Sequence, residues 1–309
     1  MQIALFGTSE FAIPTLEHIQ SSGHTIVAVV TQPARPRGRG RKSNPGPVET
    51  AARGLKLPVY TPKDPNATSF VDKLTRLHPD LCVLTAYGCI LKQPLLQLPR
   101  HGFINLHPSL LPCYRGAAPI QRALFNGDTE TGVTAIQMNT EIDAGDILNQ
   151  KRVHIGPDET AGELTARLAS AGADLILETI SRISQGTVHM QPQNHSSATR
   201  APKITESERL IDWGKTAVEL HNLIRGLAPK PGAFTYFHNR RIIALCSRLA
   251  NVAAPAEPGT LILERPGLSV ATGSGVLELL ELKPEGRKVQ SGQSFRNGYR
   301  PKQGDKFDR

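Results

Sequence analysis

The sequence predicts a two-domain α/β protein in which a doubly wound parallel sheet is followed by a smaller β-barrel. In residues 3–184, short apolar runs alternate with amphipathic helical patterns, which is the β-α-β order of a parallel sheet. From residue 233 onward the apolar residues recur with a period closer to two, in short runs separated by glycine, proline and asparagine. That second pattern is typical of a small barrel. A chain of 309 residues is long enough for both cores.

The first part of the chain supplies the elements of the sheet in order. Its apolar runs predict strands at 3–6, 25–30, 58–60, 81–85, 133–138 and 147–153, and a strand that ends at His107. Helical patterns cover 48–53, 68–77, 119–125 and 161–184, and one more helix ends before Gly23. The turn after the first strand has a single glycine and lacks the Gly-x-Gly-x-x-Gly pattern. We therefore expect no nicotinamide cofactor.

The second part begins after a polar, irregular stretch at 191–202, which is typical of a linker. A helix is predicted at 216–226, and short strands at 233–238, 242–248, 260–263, 268–271 and 276–282. We place the domain boundaries accordingly: a first domain at 1–189, a linker at 190–206 and a second domain at 207–309.

Composition and cysteine usage indicate an ordinary globular protein. Hydrophobic residues make up 39% and charged residues 20% of the chain, and no apolar run approaches the ~20 residues that a membrane span requires. The opening residues look like a structural strand and not like a targeting peptide. The four cysteines show no Cys-x-x-Cys spacing, so we expect free thiols, no metal site and a cytoplasmic location without membrane association.

The positive charge is concentrated in two places. The net charge is +9, while residues 31–56 carry seven basic and one acidic side chain, and residues 287–309 carry seven and two. The first cluster lies in QPARPRGRGRKSNPGP at 32–47, whose prolines, glycines and basic residues predict a long exposed loop. Basic residues concentrated in this way indicate a polyanionic partner such as a nucleic acid. The alternative is a solvated loop without a partner.

A candidate site lies where the central strand ends. Asn105 and His107 are two residues apart, so on a strand both side chains point to the same face. Pro108 has no N–H and favours an extended His107, so the strand should end there, at the edge where open α/β sheets bind ligands. A core strand with a half-buried histidine is the alternative. Asp143 and Asp146 lie beside Gly145, where by themselves they indicate only a turn.

Longer motifs around these residues resemble those of the folate-dependent formyltransferases. They are INLHPSLLP at 104–112, YRGAAPI at 114–120, GTSEF at 7–11, GVT at 132–134, Met138 and DAGD at 143–146. Further motifs resemble the branch of the family that acts on methionyl-tRNA: IDW at 211–213, IRG at 224–226, PKPGA at 229–233 and NGYRP at 297–301. The resemblance implies a Rossmann-like catalytic domain and an OB-like barrel that binds tRNA. It also implies transfer of a formyl group from 10-formyltetrahydrofolate to the amino group of methionyl initiator tRNA, for translation initiation.

The resemblance assigns roles to individual residues. A neutral amine attacks the formyl carbon and produces an oxyanion, to which Asn105 and His107 would donate hydrogen bonds. Asp143 would orient the histidine and help to accept the proton of the amine. The folate side would be lined by Ser109, Leu110, Leu111 and Pro112, with Tyr87 and Gly88 at the adjacent strand end. The tRNA would be contacted by Arg39, with Arg35, Arg37, Arg41 and Lys42 assisting through phosphates.

Two positions depart from the family pattern, and three other functions stay open. Cys113 stands where the family usually has a basic residue, and Lys230 where it often has tryptophan.

The alternatives are formyl transfer to phosphoribosylglycinamide, formyl transfer to an amino-sugar nucleotide, and RNA binding without catalysis. The expected partners are initiator methionyl-tRNA and tetrahydrofolate, with the protein acting as a monomer and without a metal.

Overall fold

The structure is a computed structural model that describes residues 1–34, 36–37, 42–250, 256–263 and 267–308. Arg35, Arg39 and Arg41 of the predicted tRNA contact therefore lie outside the described residues. For Arg37 and Lys42 the structure describes the backbone only.

The secondary structure follows the predicted order closely. The strands are β1 Gln2–Gly7, β2 Thr25–Val30, β3 Pro36–Arg37, β4 Lys42–Ser43, β5 Val59–Tyr60, β6 Leu81–Thr85, β7 Phe103–His107, β8 Arg115–Gly116, β9 Glu130–Gln137, β10 Ile147–His154, β11 Arg200–Ala201, β12 Ala233–Phe237, β13 Arg240–Ala250, β14 Leu261–Ile262, β15 Ser269–Ala271, β16 Val276–Pro284 and β17 Gln290–Ser291. The helices are α1 Ile13–Ser21, α2 Pro47–Gly54, α3 Thr68–Thr75, α4 Gln93–Leu96, α5 Pro119–Phe125, α6 Ala161–Ser184, α7 Ala217–Leu227 and α8 Gly292–Tyr299.

Two compact units divide the chain, and neither is continuous in sequence. Unit 1 comprises residues 1–116, 130–154 and 165–201, and unit 2 comprises 117–129, 155–164 and 202–309. Across the described ranges, no helix has both the length and the apolar character that crossing a bilayer requires.

Unit 1 is built on a sheet with strand order β10-β9-β7-β6-β1-β2-β5. Strands β7, β6, β1, β2 and β5 are parallel, and nearly all apolar residues of β7, β6, β1 and β2 are buried, as a sheet covered on both faces requires. The predicted α/β class with a Rossmann-like parallel sheet is confirmed. The strand order changes direction between β1 and β6, which is the switch point of a doubly wound sheet.

One strand of this sheet runs against the predicted direction. Strand β9 is antiparallel to β7, with His107 opposite Thr134. Strand β10 is antiparallel to β9 and therefore runs in the same direction as β7, and the nine residues 138–146 form the hairpin loop that joins β9 to β10. This loop begins beside the amino end of β7 and carries Asp143 back to Asn105 and His107.

The basic loop is more regular than its composition predicts. Its backbone forms a short antiparallel pair in which Pro36 lies opposite Ser43 and Arg37 opposite Lys42. A ladder of backbone hydrogen bonds needs no apolar side chains, and composition alone therefore did not indicate this pair.

Unit 2 contains an antiparallel sheet with the order β12-β13-β16-β15-β14, and β17 pairs with β16. The C-terminal residues join its two edges. Asp308 pairs with Tyr236 on β12, while Lys306 pairs with Thr260 immediately before β14. This pairing closes the curled sheet, in agreement with the predicted OB-like barrel, and gives the end of the basic tail a structural role.

Helix α7 packs against the sheet of unit 2 and begins with a capping box. The Thr216 side chain accepts from the Glu219 N–H, and the Glu219 carboxylate accepts in return from the Thr216 N–H. Donation to the carboxylate from the Thr216 N–H, and then from the Thr216 hydroxyl, lowers the pKa of Glu219. Gly226 of this helix lies against Phe125, where a Cβ would approach the ring to 2.7 Å. The close packing of α5 on α7 therefore requires glycine.

Another carboxylate of unit 2 makes its stability depend on pH. The Arg122 guanidinium donates to Glu208 at 2.5 Å, and together with the Thr205 N–H it lowers the pKa of Glu208 to about 2. A pKa lowered in the folded state stabilises the fold above the unfolded value of 4.5. That contribution disappears as the pH falls toward the folded value.

We therefore expect Glu208→Gln to unfold at lower denaturant concentration than the unchanged protein at pH 7. The difference should shrink between pH 4.5 and about 2. Denaturant unfolding measured across this pH range tests it. Glu17→Gln, on the exposed face of α1, is the control and should leave the unfolding midpoint unchanged. A Glu208→Gln difference that is independent of pH would contradict the assignment.

Candidate active site

Asn105 and His107 lie at the carboxyl end of β7, with exposed fractions of 8% and 4%. Both are buried, so their polar atoms need partners in the protein. Asp143, 38 residues beyond Asn105, supplies them. Asn105 Nδ2 donates to Asp143 Oδ1 at 3.3 Å, and His107 Nδ1 lies 3.5 Å from Asp143 Oδ2. The three residues that the resemblance singled out thus meet at one point.

The Asp143 carboxylate is held by the backbone as well as by side chains. Its Oδ2 also accepts from the Gly116 N–H at 2.9 Å. Asp143 itself has a φ of +52°, a left-handed conformation that aspartate tolerates better than most residues. Gly145, two residues later, lies against the end of β9, where a Cβ would overlap the carbonyl oxygen of Gln137. The hairpin loop therefore depends on both residue types to place the carboxylate.

The hydrogen bonds of His107 define where its proton lies. Nε2 is 2.9 Å from the carbonyl oxygen of Tyr114, and since a carbonyl only accepts, Nε2 carries a hydrogen. Nδ1 then faces the carboxylate of Asp143, 3.5 Å from its Oδ2. Both ring nitrogens have protein partners, so His107 must exchange one of them before it can donate to a substrate. Asn105 Nδ2 has a second N–H besides the one that it donates to Asp143.

The residues predicted to line the folate side form the turn after β7. Ser109 is fully buried and Leu111 is 3% exposed, while Leu110 and Pro112 are partly exposed. The Ser109 hydroxyl donates to the Cys113 carbonyl at 2.6 Å, and Thr134 binds the backbone of both Ser109 and Leu111. The buried members of this set thus anchor the turn to β9.

Tyr87 and Gly88 follow β6, the neighbouring strand. The Tyr87 ring is 1% exposed and packs edge-on against Phe6 in the core of unit 1, and Gly88 is exposed. The Tyr87 carbonyl accepts from Thr8 Oγ1 at 2.9 Å and from Gln32 Nε2 at 2.7 Å. These bonds join the ends of β1 and β6 at the switch point. The Asn105, His107 and Asp143 cluster lies at the end of β7, the next strand of the sheet after β6.

A cavity of about 750 Å³ lies in unit 1 beside the amino end of β7. Gly102, Gln137 and Met138 are among the residues that line it, whereas Asn105, His107 and Asp143 are not. Within the described ranges, His, Cys, Asp and Glu side chains form no group of three or more that could hold a metal ion.

Several contacts of the site were not indicated by the sequence. The Tyr114 carbonyl and the Gly116 N–H are backbone groups, which no residue pattern marks. Gln193 donates to the carbonyl oxygens of Asp143 and Gly145, although its segment reads as a linker. Its only signal in the sequence is a polar residue in a polar stretch, and this does not identify a contact.

Two family models and several curated relatives match most of the chain. Residues 1–180 match the model of the family described as "Formyl transferase", and residues 203–300 match "Formyl transferase, C-terminal domain". The chain is 43% identical to a methionyl-tRNA formyltransferase of Solibacter usitatus over 99% of its length and 98% of that protein. It is also 43% identical to one of Koribacter versatilis, over 100% and 99% of the two chains.

A solved structure shares the fold. The N-formyltransferase from Helicobacter canadensis, in complex with folinic acid and dTDP-3-aminofucose, superimposes with a TM-score of 0.69 at 20% identity. The match covers 90% of this chain and 98% of that one. At this identity the likeness concerns the fold alone. Together with the two family models, which cover most of the chain, the comparisons lead to one conclusion: the chain belongs to the formyl transferase family.

Proposed function

We propose that the protein transfers a formyl group from 10-formyltetrahydrofolate to the α-amino group of methionyl initiator tRNA, for translation initiation. The observation that carries the proposal is the Asn105, His107 and Asp143 constellation in a chain that is 43% identical, over 99% of its length, to a methionyl-tRNA formyltransferase. Tetrahydrofolate is the second product. The enzyme acts as a cytoplasmic monomer, in which residues 1–189 carry the reaction and residues 207–309 bind tRNA through the linker-connected barrel.

The reaction needs three things from the protein. The attacking amine must lose a proton, the oxyanion formed at the formyl carbon needs hydrogen-bond donors, and the folate nitrogen must receive a proton as it leaves. Asp143, in contact with His107, accepts the proton of the amine directly or through water, and this proton is passed to the folate nitrogen as its bond to the formyl carbon breaks. Asn105 donates its second N–H to the oxyanion. His107 assists after exchanging the Tyr114 carbonyl for the substrate.

The turn at Ser109–Pro112 borders the folate side. The burial of its residues supports different roles for them, either in holding the turn or in contacting the folate. Ser109 and Leu111 are buried and hold the turn in place, while Leu110 and Pro112 are partly exposed and available for contact. On the neighbouring strand end, exposed Gly88 offers its backbone, whereas the Tyr87 ring belongs to the core.

The central test uses purified protein, 10-formyltetrahydrofolate and charged tRNA. We expect formylation of methionyl initiator tRNA and far slower formylation of free methionine or of methionyl elongator tRNA. Phosphoribosylglycinamide and an amino-sugar nucleotide serve as competing acceptors. Equal rates on free methionine, or a preference for either competing acceptor, would overturn the proposal. Binding of tRNA without any formyl transfer would favour the non-catalytic alternative.

The basic loop gives a second expected result. Replacing Arg35, Arg37, Arg39, Arg41 and Lys42 by alanine should raise the KM for tRNA. Because each lost phosphate contact removes about 0.7–0.9 from the slope of log affinity against log salt, the salt dependence should flatten as well. Affinity for the folate should stay unchanged. The control for a simple loss of net charge replaces five exposed basic residues elsewhere in residues 1–189 by alanine, namely Lys63, Lys73, Arg76, Lys92 and Arg100. Equal effects of the loop variant and this control would show that the loop makes no specific contact.

A further inference from the structure

The segment at 191–201, called the strap below, is attached at both ends to the parts of unit 1 that form the site. At one end, Gln191 exchanges two backbone hydrogen bonds with Ile147, at the start of β10 and immediately after the hairpin loop of Asp143. At the other end, β11 pairs with β8, so that Ala201 lies opposite Gly116. The strap therefore spans from the segment that carries Asp143 to the segment whose N–H binds its carboxylate.

Between these ends the Gln193 side chain is 5% exposed and makes four hydrogen bonds. Nε2 donates to the carbonyl oxygens of Asp143 at 2.9 Å and of Gly145 at 2.7 Å. Oε1 accepts from Arg115 Nε at 3.1 Å and Nη2 at 2.6 Å. An amide has two N–H groups and two lone pairs, so its capacity is filled in this orientation alone. The reverse orientation would place an oxygen against two carbonyls.

The two carbonyls that Gln193 binds lie on either side of Ala144, and Asp143 there has the left-handed φ of +52°. Two hydrogen bonds from one buried amide restrict rotation of the backbone at this turn. The same amide holds Arg115, the residue before Gly116. Gln193 thus connects the main chain of Asp143 with the backbone that binds the carboxylate of Asp143. It touches none of the groups assigned to the reaction.

Thr199 makes a parallel connection to the histidine. Its Oγ1 accepts from the Tyr114 N–H at 2.8 Å, and its carbonyl accepts from the Arg115 N–H at 2.8 Å. The carbonyl of Tyr114 in turn accepts from His107 Nε2. The strap therefore reaches both partners of the His107–Asp143 contact, each through one intervening group.

We propose that Gln193 is a positioning residue for the formyl-transfer reaction, and that it holds the Asp143 turn through the carbonyls of Asp143 and Gly145. The inference rests on the proposed function for its kinetic consequences only. A misplacement of about 1 Å at a reacting group can cost about 10²-fold in rate. We expect Gln193→Ala to lower kcat by up to about 10²-fold, with the KM for folate and for tRNA nearly unchanged.

Gln193→Glu is the decisive variant. Glutamate has the same size and still accepts from Arg115, but it cannot donate to the two carbonyls. If Gln193 acts on the Asp143 turn, Gln193→Glu should lose as much kcat as Gln193→Ala, and the pH profile of kcat should move. If Gln193 only partners Arg115, Gln193→Glu should keep the full rate, which would overturn the proposal. Gln185→Ala and Gln185→Glu, at an exposed position after α6, are the matched controls.

A readout without substrate separates this inference from the proposed function. Hydrogen exchange of the loop 138–146 should accelerate in Gln193→Ala and Gln193→Glu, and exchange in β1, β6 and the barrel strands should not change. Unchanged exchange in the loop would overturn the positioning role, whatever the kinetics show. If the unchanged protein formylates no tRNA while the loop still loosens in both variants, the proposed function fails and the structural inference stands.

Discussion

Replacing Asp143 by asparagine is expected to lower kcat for formyl transfer by about 10²–10⁴-fold, the usual contribution of a general base. The carboxylate accepts from Asn105, lies 3.5 Å from His107 Nδ1 and accepts from the Gly116 N–H. Asparagine has the same size, and its oxygen can keep one of these bonds, so the fold should be retained. What the variant loses is the group that takes a proton from the amine. Single-turnover rates with saturating folate and tRNA measure the effect.

Asp146 offers a matched control in the same hairpin loop. Its contribution to the loop is a backbone carbonyl that accepts from the Gln137 N–H, and an asparagine side chain leaves that bond in place. We expect Asp146→Asn to retain nearly the full rate. If Asp143→Asn and Asp146→Asn have similar rates, the role of Asp143 as the proton acceptor is wrong.

Asn105→Ala should lower kcat by about 10²–10³-fold, which is typical for the loss of one donor to an oxyanion. The physical reason is its second N–H, since the first is donated to Asp143 and both nitrogens of His107 have protein partners. Because this donor acts on the charge that develops during the reaction, the KM values should change little.

Asn105→Asp separates the loss of the N–H donors from a change in the size of the side chain. It keeps the shape of the side chain, removes both N–H groups and places a second carboxylate beside Asp143. We expect it to be at least as slow as Asn105→Ala, with thermal unfolding as the check that both variants fold. Full activity of Asn105→Asp would show that donation at this position is not needed.

The first half of the fold was predictable because its strands and helices have strong apolar periods. Thr25–Val30, Leu81–Thr85 and Ala161–Ser184 are found with the predicted bounds. Strand direction was not predictable, since an apolar run has the same pattern in either direction, and the antiparallel direction of β9 beside β7 left no trace in its residues. Helix α8, Gly292–Tyr299, was missed because its basic and polar residues read as an exposed tail.

The site was predictable in part. The alternation of a strand and the proline after it were sufficient to place Asn105 and His107 together. Asp143 required a family resemblance, because an aspartate beside a glycine ordinarily indicates only a turn. Neither the strand pattern nor the family resemblance indicated Gln193. Its amide donates to backbone carbonyls 50 and 48 residues away, and no local pattern indicates such contacts.

The discontinuity of the two compact units also determines which fragments and chimaeras of the protein keep their contacts. Unit 2 includes residues 117–129, which lie in sequence between His107 and Asp143, and residues 155–164. Buried Arg225 of α7 donates to the carbonyl oxygens of Gly156 and Glu159. A fragment that starts at residue 202 would lose these acceptors and the helix that covers Gly226. Chimaeras that exchange the C-terminal part between relatives should therefore take 117–129 and 155–164 from the same parent.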